Sequence, residues 1–156
     1  MRCLALLMCI AACGTDDANA AGDYSIVVTN GDNGCNFASW TAGSTATAAV
    51  TVTQGGNNVT ASVTGLGAVV LDAAIGGHAY SGKISGGDLD LRLFGSRTST
   101  AGNCTYTFNS EIHAVLDRDA LTGHIDYVSA TNNNPDCAGI TGCRSSQEFT
   151  GTRPTP

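Results

Sequence analysis

Residues 104–130 read CTYTFNSEIHAVLDRDALTGHIDYVSA. Apolar side chains recur on alternate positions, at Tyr106, Phe108, Ile112, Ala114 and Leu116 and again at Leu121, Ile125 and Tyr127. A period of two marks strands with one buried face. Asp117-Arg118-Asp119-Ala120 interrupts the pattern with residues that favour turns. Folding the two runs about that turn sets Leu116 opposite Leu121, Ala114 opposite Gly123 and Ile112 opposite Ile125. A one-residue slip would turn every apolar side chain outward, so the hairpin has one register.

Working outward, the same pattern repeats. Tyr24–Thr29 alternates as a strand. Thr45–Thr53 and Val59–Gly65 flank Gly55-Gly56, a pair suited to a tight primed turn, which would set Val52 opposite Val59. His78–Ser85 and Leu89–Phe94 flank Gly86-Gly87, with Ile84 opposite Leu89 and Lys83 opposite Asp90. Ser145–Thr150 is a last strand, and Leu66–Gly77 is either one more short strand or a loop. No helical period longer than a turn or two is evident. The chain is therefore all-β, an up-and-down antiparallel meander of about eight strands that closes into a small barrel or stacks as a β-sandwich. Short connections near 54–57, 86–87 and 117–120 alternate with long ones near 30–44, 66–77, 95–103 and 130–144. In a meander this collects the tight turns at one end and the long loops at the other. The layout resembles small lipocalin-like or avidin-like up-and-down barrels, without the Gly-x-Trp opening of lipocalins; Trp40 follows Ala38-Ser39.

The chain has 156 residues, of which 13% are charged, and a formal net charge of −6. Typical domains carry about 25% charged residues. Gly and Thr are abundant, as expected of an exported β-protein with a neutral polar surface. So few cations cannot neutralise many phosphates, which excludes nucleic acid as a partner.

Residues 1–13 read MRCLALLMCIAAC. Arg2 precedes an apolar run, Leu4–Ala12, too short to span a bilayer as a mature helix. Ile10-Ala11-Ala12-Cys13 resembles the lipobox of bacterial lipoproteins. The resemblance implies cleavage after Ala12 and a lipid on Cys13 that inserts in the membrane. Gly14, rather than Asp, after that cysteine implies the outer membrane. An ordinary signal peptide cut after Ala18-Asn19-Ala20 is the alternative. Residues 1–12 are thus a leader, 13–22 a flexible tether, 23–152 one β-domain and 153–156 a tail. Loss of Arg2 with the leader takes the charge from −6 to −7.

Cys35, Cys104, Cys137 and Cys143 remain in the mature domain, an even number in an exported chain, and two disulfides are expected. Cys137–Cys143 with Cys35–Cys104 would make a local staple and one bond across the loop end. Cys104–Cys137 with Cys35–Cys143 would join neighbours if the last strand closes onto the first. The spacings lack the paired pattern of a structural zinc site.

Two constellations are candidate sites. His78, Tyr80, Tyr106, Phe108 and Tyr127 should share the inner surface near the long-loop end, above Ile84, Leu89, Ile112, Leu116, Leu121 and Ile125. An aromatic-rimmed, aliphatic-floored cup would take a small apolar or glycan ligand; the same residues could equally fill a solid core. On the polar face the central register sets His113 opposite His124 and Glu111 opposite Asp126. That is a metal constellation in donor type, or an ordinary solvated wall. No nucleophile elbow, phosphate loop or catalytic triad order is present, and no cofactor is implied. The expectation is a membrane-anchored binding or surface-interaction module rather than an enzyme. The alternatives are a metal-dependent protein using His113 and His124, a structural envelope component, and an inhibitor of a cell-wall hydrolase.

Overall fold

The computed structural model describes residues 17–154. The leader and the lipobox Ile10–Cys13 lie outside the described residues. In chain order the elements are β1 (Gly22–Asn33), β2 (Thr45–Gly55), β3 (Asn58–Thr64), α1 (Gly65–Ala74), β4 (Ala79–Ser85), β5 (Asp88–Leu93), β6 (Ser99–Ala101), β7 (Cys104–Asp117), β8 (Ala120–Thr131) and β9 (Arg144–Thr152). Neighbours pair in the order β5-β4-β3-β2-β1-β9-β8-β7, and β5 then pairs with β7 to close the ring. The result is an eight-stranded antiparallel barrel, with β6 a short annex on the start of β7. The unbroken ring rules out the sandwich, because no strand of the eight is left as an edge.

The central hairpin has the expected register: Leu116 opposite Leu121, Ala114 opposite Gly123, Ile112 opposite Ile125 and His113 opposite His124. Ile84 faces Leu89 and Lys83 faces Asp90, also as expected. The β2–β3 hairpin is shifted by two residues from expectation. Val52 faces Ala61 and Gln54 faces Val59, and the turn is Gly56-Asn57. A shift of two leaves every side chain on its own face, so the apolar pattern cannot distinguish the registers. The turn decides: Gly56 takes φ 61° at its first central position, where glycine is unstrained.

Leu66–Gly77 is not a strand, and the lack of helical period in the sequence misled there. Nine of its residues, 66–74, form α1 together with Gly65. Gly67, Leu71 and Ile75, spaced four apart, face the barrel; Leu71 packs on the core and Ile75 is fully buried. Leu66, Val69 and Val70 on other faces are exposed. A helix that is apolar nearly all round gives no amphipathic signature. The loop after β5 fastens its C-terminal end, since the N–H groups of Ser96 and Arg97 both donate to the Ile75 carbonyl at 2.9 Å.

Because α1 adds no strand, the alternation of ends survives. The Leu116 N–H donates to the Gly87 carbonyl and that of Ile84 to the Asn57 carbonyl, each at 2.9 Å, so the tight turns adjoin one another. At the other end Cys35 joins Cys143 and Cys104 joins Cys137. The local Cys137–Cys143 staple does not form. Closure of β9 onto β1 brings Cys35 and Cys143 together, and the turn at Pro135–Cys137 lays Cys137 on the start of β7.

The tight-turn end is plugged by residues expected to be loose. Of the tether read at 13–22, residues 17–21 fold across the opening, and Ala20 is buried. The Gln54 amide accepts from the Ala20 N–H at 2.7 Å and donates to the Ala18 carbonyl at 3.1 Å. Asp17 accepts from the Gly86 N–H at 2.9 Å. The tail read at 153–156 begins with Arg153, which donates to Asp119 and to the carbonyls of Asn19 and Ala21. Backbone polar groups near a barrel end require partners, and these residues supply them.

Candidate ligand cavity

The barrel interior is not solid. A cavity of about 420 Å³ runs down from the long-loop end. Its walls come from alternate residues of the strands: Ile26 and Val28 on β1, Ala46, Ala48 and Val50 on β2, Ala61 and Val63 on β3, Leu89 and Leu91 on β5, Ile112 and Ala114 on β7, and Leu121 and Ile125 on β8. Small side chains make the space. Ala48, Ala61 and Ala114 face inward where larger residues would meet across the lumen, so the walls stay apart instead of packing closer. Gly123 does not contribute room; a Cβ there would collide with the His113 carbonyl and Ala114, so its hydrogen serves close strand approach.

The mouth lies beside α1. Leu66 and Val70, one turn apart on the helix, line the cavity and also face solvent. Across from them, residues between β1 and β2 form an aromatic plug. Phe37 packs on Phe108 with ring centroids 4.8 Å apart, on Trp40 at 5.7 Å and on Tyr127 at 6.0 Å. Tyr106 stacks edge-on against Phe108 at 5.7 Å. The indole N–H of Trp40 donates to the Gly31 carbonyl, which fixes the plug to β1.

The five residues expected to rim a cup therefore separate. Tyr80 and Tyr127 line the cavity. Tyr106 and Phe108 belong to the plug above it. His78 is exposed and bonded through Nδ1 to Asp72 of α1 at 2.8 Å, because β4 starts one residue later, at Ala79, and leaves His78 in the connection outside the barrel. The floor is as expected at Leu89, Ile112, Leu121 and Ile125, whereas Ile84 and Leu116 are core below it. Phe37, which the alternation could not place, is the plug's hub.

Polar groups inside are few and paired. The Tyr80 hydroxyl bonds to Ser110 Oγ at 3.0 Å, and both side chains are buried. Tyr127 donates to Gln147 Oε1 at 2.7 Å, Gln147 Nε2 donates to Asn30 Oδ1 at 2.7 Å, and Asn30 Nδ2 donates to Ser44 Oγ at 3.0 Å. Burial pushes the Tyr80 hydroxyl up to about 12, against a smaller lowering by Ser110. Burial, and then the neighbouring Tyr80, also pushes Tyr127 upward. Both tyrosines are neutral at physiological pH, and among the described residues no charged side chain lines the cavity.

The second candidate lies on the outer wall. His113 and His124 sit side by side with ring centroids 5.1 Å apart. His113 Nδ1 bonds Asp90 Oδ1 at 2.5 Å, an orienting carboxylate that spacing within one hairpin could not reveal because β5 supplies it. The two hairpin carboxylates are otherwise engaged. Asp126 takes Arg144 at 2.7 Å, with His124 at 3.7 Å, and Glu111 faces Arg92 at 3.6 Å. Among the described residues no group of three or more His, Cys, Asp or Glu side chains is gathered as a metal site.

No protein-family model, curated protein or solved structure matches the chain.

Proposed function

We propose that this chain is a lipid-anchored bacterial envelope protein whose barrel binds a small apolar ligand. The observation that carries the reading is the cavity: about 420 Å³, largely aliphatic, without a charged wall residue among the described residues and open at one end beside an apolar helix. Its size falls in the range of about 300–1,000 Å³ usual for ligand sites. Empty space of this size costs packing energy, which a bound hydrocarbon would restore.

The anchor part of the reading rests on the lipobox-like Ile10–Cys13 and on the position of Asp17. With Asp17 bonded at the tight-turn end, few residues separate the domain from Cys13. A lipid on Cys13 sets that end against the outer membrane and turns the mouth away from it. The neutral dye N-phenylnaphthylamine tests the binding reading. The purified protein should raise its fluorescence saturably, with one site per chain, and a long-chain alcohol should displace it. Absence of saturable binding would sink the reading. Cys13→Ser should abolish both membrane retention and lipid labelling; retention by the variant would remove the anchor.

A further inference from the structure

We propose that the cavity selects an uncharged chain: a single hydrocarbon tail of about 15 to 17 carbons ending in a neutral hydrogen-bond acceptor such as an ester, ketone or alcohol, with Gln147 reading that head group. The inference rests on the apolar-ligand reading above and narrows it.

Size sets the tail. A dry protein cavity of about 150 Å³ accommodates benzene, or roughly 25 Å³ per carbon. By that proportion about 420 Å³ accommodates about 17 carbons. On β2 alone the lining runs from Ala46 to Val52, and a space that extends along the strands suits one chain better than a fused ring system.

Charge sets the head. The titratable groups on the cavity wall are Tyr80 and Tyr127, both neutral and both already hydrogen-bonded. The cations of the surrounding elements lie outside the lumen: Arg97, in the loop that fastens the end of α1, is exposed and is not among the lining residues. On the outer wall Arg144 holds Asp126, Arg92 lies near Glu111 and Lys83 sits opposite Asp90; at the far end Arg153 holds Asp119. On the mouth helix Asp72 is bonded to His78. A carboxylate drawn into the lumen would lose its hydration and meet no counter-charge, which is a heavy penalty. An ammonium would fare no better.

Gln147 supplies specificity. It faces inward on β9 and lines the cavity near the mouth. Its Oε1 is taken by Tyr127 and one hydrogen of Nε2 by Asn30. An amide nitrogen carries two hydrogens. Among the described residues the second has no acceptor, and an ester or ketone oxygen at the top of the tail would take it. Tyr127 and Asn30 hold the amide so that its orientation does not depend on the ligand.

The test is competition against bound N-phenylnaphthylamine with methyl palmitate, hexadecanol, palmitate and hexadecylamine. Above the carboxyl pKa the two neutral chains should compete about tenfold or more better than either charged one. Palmitate should gain on methyl palmitate as the pH is lowered through its carboxyl pKa. Gln147→Leu, and independently Gln147→Met, should lower the affinity for methyl palmitate about fivefold relative to that for the dye. Palmitate competing as well as methyl palmitate at alkaline pH overturns charge selection and leaves the apolar-cavity reading standing. Dye that does not bind at all overturns both. Methyl palmitate affinity unmoved relative to the dye in both variants removes Gln147 from the proposal.

Discussion

Arg153 and Asp119 clasp the tight-turn end of the barrel: the guanidinium donates from Nε to Asp119 Oδ1 at 2.8 Å. The same group reaches the carbonyls of Asn19 at 3.0 Å and Ala21 at 2.7 Å, and lies 5.9 Å from the centre of the Tyr24 ring. It thereby ties the segment before β1 to the β7–β8 turn and the end of β9. Arg153→Met keeps most of the apolar stem and deletes every one of these hydrogen bonds. The expected cost is about 1–3 kcal/mol, since carbonyls near a buried surface lose a charged donor. A lowered urea midpoint with unchanged slope is the expected result. An unchanged midpoint would mean that the plug adds nothing to stability.

Three tyrosines make the fold sensitive to alkali. Burial raises the hydroxyl pKa of Tyr24, Tyr80 and Tyr127 in the folded state. An acid whose folded pKa exceeds its unfolded value of about 10 binds more protons folded than unfolded once the pH passes that value. Stability is then full below about pH 10 and falls as pH rises further, by up to about 1.4 kcal/mol per pH unit for each group still protonated only in the native state. For Tyr80 the loss continues to about pH 12. Denaturant titrations at stepped alkaline pH should show this decline. Tyr80→Phe should make it shallower, at the cost of stranding Ser110 Oγ.

Arg118 opens the β7–β8 turn at φ 58°, in the left-handed region, where the two other two-residue turns carry Gly56 and Gly86. Its side chain is nearly fully exposed, and its ion pair with Asp117 at 3.9 Å contributes little. The left-handed conformation costs a non-glycine residue about 1–2 kcal/mol, and glycine returns part of that through the entropy of its unfolded chain. Arg118→Gly should raise stability by about 0.5–1 kcal/mol. Thermal unfolding measures it, and a lower midpoint would show that the Arg118 side chain has a role its exposure conceals.

The fold was legible wherever a buried face demanded alternation. Leu116–Leu121 and Ile112–Ile125 follow from period two alone, and the even number of cysteines after residue 13 announced the two disulfides. The β2–β3 register was not legible, because Val52–Val59 and Val52–Ala61 bury the same faces and only the conformation of Gly56 separates them. The helix at 65–74 was hidden by its own hydrophobicity, for Leu66, Val69, Val70 and Leu71 leave no polar stripe to reveal a period. Cys35–Cys143 depended on closure of β9 onto β1, a contact between distant parts of the chain. For the site, Tyr80 and Tyr127 could be placed on the inner surface by parity. His78 could not, because one residue decides whether a strand start faces the lumen or the loop. Asp90 beside His113 and Gln147 beside Tyr127 come from different hairpins, so no spacing within one hairpin announces either pair.

The inward alanines left two outcomes open in the sequence, a hollow lumen or walls drawn together, and they provide the sharpest test of which surface binds. Ala48 on β2 sits opposite Ile26 and lines the cavity below α1. Ala48→Phe adds six carbons, which at roughly 25 Å³ each would fill a little over a third of the space. Filling a cavity with apolar atoms restores missing contacts, so stability should hold or rise by up to about 1 kcal/mol while N-phenylnaphthylamine affinity falls about tenfold or more. Val27 on the neighbouring strand faces outward and is 43% exposed. Val27→Phe adds a similar aromatic to the outer wall and should leave dye affinity unchanged. Fluorescence titration and thermal melting of the two variants separate the possibilities. If Ala48→Phe melts normally and still binds the dye as tightly as the unmodified chain, the ligand does not enter the barrel. If Val27→Phe weakens binding instead, the site lies on the outer wall.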